Sequence, residues 1–73
     1  MTKLEYYRGR LEIVGVKLTL AFMPESTKAY YMPKLVHVAK KYAISHDYYE
    51  SRLGFLLMKV VMEQLTNDLK SNL

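Results

Sequence analysis

The chain has 73 residues, 51% of them hydrophobic, a net charge of +4 and no cysteine. A chain this short makes one domain, residues 1–73, and buries only roughly 60% of the surface that its unfolded form exposes, so it needs help from a disulfide, a metal or a second subunit. Without cysteine there are no disulfides, thiolate metal sites or thiol catalysis, and His37 and His46 form no metal-ligand spacing with the carboxylates. No cofactor or metal is implied, and a homodimer is the remaining aid.

The opening segment MTKLEYYRGR has no leader-type apolar run. The longest apolar stretch, residues 55–62, is interrupted by Lys59 and is far short of the ~20 residues that span a bilayer. A cytoplasmic protein with no membrane partner is expected. Charge is uneven. Lys3, Arg8, Arg10, Lys17, Lys28, Lys34, Lys40 and Lys41 face only Glu5, Glu12 and Glu25 in the first 41 residues, whereas the remainder is close to neutral. A basic half attracts polyanions, nucleic acid first.

Residues 1–13 read as an arm or an extra strand, with a possible turn at Arg8-Gly9. In residues 14–22, Val14, Val16, Leu18, Leu20 and Phe22 alternate with Gly15, Lys17, Thr19 and Ala21, the period of a half-buried strand. Residues 26–43 have helical spacing at Tyr31, Leu35, Val38, Ala39 and Tyr42. Ser26 is a cap candidate there, and Pro33 either breaks this helix or starts it. After a break at residues 43–47, with Ser45 a candidate cap and Asp47 suited to a first turn, a second helix is expected over 45–69. It carries a stripe of Leu53, Leu56, Leu57, Val60, Val61, Leu65 and Leu69, with Phe55, Met58 and Met62 on other faces. A helix apolar nearly all round is central to a core or an interface. The expected fold class is α+β, in the order β-α-α.

A strand followed by two helices, dimerising through the strand, resembles the ribbon-helix-helix family of DNA-binding proteins. The resemblance rests on VKLTLAF, on the turn Val38-Ala39-Lys40-Lys41-Tyr42-Ala43-Ile44-Ser45, and on Leu53, Leu56 and Leu57 after it. The family usually has glycine where this chain has Ala43, and residues 23–43 are about one helical turn longer than its plan. The resemblance implies an intertwined homodimer with Val16, Leu18, Leu20, Leu53, Leu56, Leu57 and Val60 in the dimer core. It also implies a two-stranded ribbon in the major groove of duplex DNA, as in a transcriptional regulator. Lys17, Thr19 and Ala21 would face base edges. Ser45 and His46 would hold a phosphate at a helix N-terminus, and Arg8 and Arg10 would lie near the DNA backbone.

Other readings compete. Lys17 and Thr19 also suit a plain solvent face, His37 a surface position, and the seven tyrosines cores and interfaces. A small protein-interaction module that blocks or adapts a partner is the alternative, motivated by the same apolar excess. Single-strand binding by stacked tyrosines, Tyr6 and Tyr7 among them, is a third. Enzyme activity is not expected, since the motifs of phosphate loops, HExxH sites and nucleophile elbows are missing from the sequence.

Overall fold

A computed structural model describes residues 1–71. It consists of three α-helices, α1 (Lys3–Phe22), α2 (Glu25–Ala43) and α3 (Tyr48–Ser71), and no strand occurs among the described residues. This overturns the α+β expectation. Residues 14–22 are not a strand but the second half of α1, and residues 1–13 are its cap and first turns. The ribbon-helix-helix-like plan, with its intertwined dimer, loses the strand on which it depends.

The alternation in residues 14–22 has a different geometric source. Val14, Leu18 and Phe22 recur every four residues and are exposed, while Val16 and Leu20 recur every four and turn inward. Two such stripes on opposite sides of one helix, offset by two residues, place apolar groups at every second position and so copy a strand's period. The start of α1 is set by a capping box: the Glu5 N–H donates to Thr2 Oγ1 (3.2 Å), and the Thr2 N–H donates to Glu5 Oε1 (3.3 Å). Pro24 follows its end and disfavours helical backbone at Met23.

α2 begins at Glu25, after Pro24 and not at Ser26, and runs through Pro33 without a break. Pro33 removes the donor that the Ala29 carbonyl would use. Both residues are exposed, so water can take that place. α3 begins at Tyr48 with Asp47 as its cap, since the Glu50 N–H donates to Asp47 Oδ1 (3.0 Å). The expected cap Ser45 lies one step out, where its Oγ accepts from the Asp47 N–H (3.1 Å) and donates to Glu50 Oε2 (3.1 Å).

α3 is the central helix. Met1 meets Asp47, Tyr6 meets Arg52 and Lys17 meets Glu63, so α1 runs parallel to it. α2 runs antiparallel, with Ser51 bonded to the Ala43 carbonyl at one end and Lys28 to Asp68 at the other. Leu20, Met32 and Val61 form the buried centre, with Val16, Met23, Leu35, Val36 and Val60 around it. Tyr6, Leu53 and Leu57 are buried farther along. Lys28 is buried too, with its ammonium 3.3 Å from Asp68 Oδ1, which also accepts from Gln64.

α2 and α3 touch backbone to backbone at Gly54. A Cβ there would collide with Ala43 N and fall 2.7 Å from Ala39 O, whereas one at Gly15 would meet nothing within 4 Å among the described residues. The two glycines therefore answer the same substitution oppositely. Gly15→Ala should stabilise by about 0.5–1 kcal/mol through helix propensity. Gly54→Ala should destabilise by about 3 kcal/mol or more, because backbone must move. Urea denaturation midpoints check this, and equal midpoints for the two variants would refute the close approach.

Candidate functional site

Leu53, Leu57 and Val61 of α3 are buried against the rest of the bundle, but α1 carries a second apolar side that no described residue covers. Leu4, Tyr7, Leu11, Val14, Leu18 and Phe22 are spaced by three or four residues and fall within about 80° of arc at 3.6 residues per turn. They are all exposed, from 48% at Tyr7 to 86% at Phe22. The spacing is that of the narrow seam of a coiled coil. α3 has a shorter row of the same kind in Phe55, Met58, Met62, Leu65 and Leu69, of which only Met58 is half-buried.

Charge flanks the α1 seam unequally. Lys3, Arg10 and Lys17 recur every seven residues along one edge and are exposed. Arg10 and Lys17 border a shallow cleft of about 210 Å³ together with Lys59 and Glu63 of α3. The Lys17 ammonium is 3.7 Å from Glu63, with both side chains largely in solvent, a contact of the weak surface kind. The Arg10 guanidinium lies 5.8 Å from the Tyr6 ring centre. The other edge is mixed: Arg8 with Glu5 and Glu12, at the rim of a groove of about 470 Å³ between α1 and α2 with Leu53 and Leu57 in its lining.

One end of the bundle is pinned by polar contacts between α1 and α3. The Met1 ammonium donates to Asp47 Oδ2 at 2.7 Å. The Tyr6 hydroxyl accepts from Arg52 Nε (3.1 Å), and the Tyr6 ring lies 5.1 Å from that of Tyr49. Arg52 Nη1 donates to the Tyr48 hydroxyl (3.2 Å). The bond to Asp47 raises the Met1 amine above its usual 8.0. That ammonium, and then the Glu50 N–H, hold the Asp47 carboxyl below its usual 3.8.

The residues singled out in the sequence do not converge. Lys17, Thr19 and Ala21 lie toward the C-terminal end of α1, where Thr19 Oγ1 donates to the Gly15 carbonyl (2.8 Å). Ser45 and His46 lie by the opposite end, next to the Met1–Asp47 bridge. Roughly 25 Å of helix separates the two groups. Arg8 and Arg10 stand on different edges of α1. At the start of α3 the Asp47 carboxylate accepts the Glu50 N–H, one of the donors that a phosphate there would need. Of the residues assigned to a dimer core, Val16, Leu20, Leu53, Leu57 and Val60 pack within the monomer, Leu56 lines the shallow cleft and Leu18 is exposed. The sequence hides the outer seam, because Val14, Leu18 and Phe22 interleave with Val16 and Leu20 at a strand's period. The signal that reveals it is Thr2 three residues before Glu5, which starts a helix early enough for Leu4, Leu11 and Leu18 to share one side.

Among the described residues no cluster of His, Asp and Glu is arranged for a metal ion, and no helix is long and apolar enough to cross a membrane. Comparison of the chain with protein-family models, curated proteins and solved structures gives no match.

The Met1–Asp47 bridge predicts a pH window. A raised amine contributes stability that is complete below pH 8 and lost as pH climbs through its folded value. A lowered carboxyl contributes stability that is present above about pH 4 and lost as pH falls through its folded value. The difference in denaturation midpoint between the native and the Nα-acetylated protein should be constant between those limits and vanish on the alkaline side. A difference that persists unchanged to pH 10 would contradict it.

Proposed function

We propose that this chain is a small helical protein-interaction module that docks on its partner through the outer seam of α1. The observation that carries this reading is the unbroken row from Leu4 to Phe22, exposed over the 19 residues between them inclusive. Single exposed leucines are ordinary, whereas a contiguous apolar stripe on a small protein marks a contact surface. The seam adds nothing to the monomer's own core, so its residue types are otherwise unaccounted for. A photo-activated cross-linking amino acid placed at Leu11 or Val14 in the producing cell should give a discrete adduct. The same group at Lys34, on the exposed side of α2, should not. Equal adducts at both places, or none at Leu11, would remove the reading.

Duplex DNA is a second reading, favoured by the gathering of Arg10, Lys17 and Lys59 around one carboxylate, Glu63. Here a helical face would meet phosphates and no ribbon would enter the groove. Binding should then fall steeply between 50 and 200 mM salt, by roughly 10³-fold or more if six phosphates are neutralised. No retardation of duplex DNA at 50 mM salt would exclude it.

A further inference from the structure

The charge pattern beside the seam narrows what can cover it. Lys3, Arg10 and Lys17 stand at one position of successive heptads, about 10.5 Å apart along the helix, and Arg8 lies across the seam from them. A second copy of α1 meets these cations badly. Laid antiparallel, it sets Lys3 against Lys17 and Arg10 against Arg10. Laid parallel, it sets Lys3 against Arg8 on both sides. Like charges so placed oppose pairing. A lipid surface fits less well than a helix: the apolar arc is narrow, the basic row is one-sided, and Glu5 and Glu12 lie on the other edge, where anionic headgroups would repel them.

Resting on the interaction reading above, we infer that the occupant of the α1 seam is an amphipathic helix of another protein with Asp or Glu at heptad spacing along one edge. Its apolar side packs between Leu4 and Phe22. Its carboxylates meet Lys3, Arg10 and Lys17, with Lys17 exchanging its loose contact with Glu63 for the partner's. The seam supplies the contact area and the row supplies the choice of partner.

Two designed three-heptad peptides test this, identical in their leucine and isoleucine seam, one flanked by glutamate and the other by lysine. Fluorescence anisotropy against the full chain should show the acidic peptide binding roughly tenfold more tightly, the sum of three surface ion pairs. The advantage should shrink at 0.5 M salt. The triple variant Lys3→Glu, Arg10→Glu, Lys17→Glu should reverse the preference. Leu11→Ser, which leaves the core untouched, should weaken both peptides, with circular dichroism confirming the helices of each variant. Equal binding of the two peptides, or none by either while the Leu11 cross-link still forms, overturns the acidic occupant and leaves the interaction reading standing. A dimer in sedimentation that Leu11→Ser abolishes, or tighter binding to phosphatidylserine vesicles or duplex DNA than to the acidic peptide, also overturns it. Loss of the cross-link as well removes both.

Discussion

The contact of Gly54 with Ala39 and Ala43 governs the rest of the molecule. Helix axes pack about 8–10 Å apart depending on the side chains between them, and here the α3 backbone lies directly on that of α2. Ala39 is fully buried in consequence, and the Ser51 hydroxyl reaches the Ala43 carbonyl at 3.0 Å. With one end closed this tightly, α2 stays along α3 far enough to set the Lys28 ammonium beside Asp68. α1 then packs mainly on α3 and meets α2 around Leu20 and Met32, and a groove bordered by Arg8 and Glu12 opens between α1 and α2.

The same arrangement explains where an apolar content of 51% goes. Three helices of this length enclose a core whose buried members are few: Leu20, Met32 and Val61 at the centre, with Tyr6, Ala39, Leu53 and Leu57 beyond. Much of the exposed remainder lies in the two outward rows, while Tyr30, Tyr31, Val38, Tyr42, Ile44 and Tyr48 are exposed elsewhere. A scattered excess would only lower solubility. A row at heptad spacing is shaped to take another helix, which is the ground for the interaction proposed here.

The two later helices were largely legible. The apolar stripe of α3 and the break before it stood in the sequence, because Leu53, Leu57 and Val61 share one buried face behind a polar turn, although Leu65 and Leu69 of that stripe lie in the exposed row. Pro33 misled only on the start of α2, since a proline on an exposed side costs one hydrogen bond that solvent can replace. α1 was lost for a deeper reason. Periodicity reports one face at a time, and Val16 and Leu20 inside plus Val14, Leu18 and Phe22 outside combine into a pattern that belongs to neither. Of the candidate site, the cations Lys3, Arg10 and Lys17 were visible as a basic half. Their common edge was not, because a shared edge exists only once the segment is known to be helical.

The parallel alignment of α1 with α3 also bears on how the chain is made. α2 and α3 are joined through residues 44–47 and meet over separations from 8 residues at Ala43–Ser51 to 40 at Lys28–Asp68, but α1 is held by partners such as Asp47 and Arg52, each 46 residues downstream. During synthesis α1 leaves the ribosome first, and the α3 side chains that complete the cover of its inner stripe follow only after α2 is made. At about 5–20 residues per second, the outer side of α1 stays uncovered and its inner side incompletely covered for several seconds. The segment most exposed in the finished fold is thus also the one that waits longest for shelter, and a partner helix present at that moment would find it before the bundle closes.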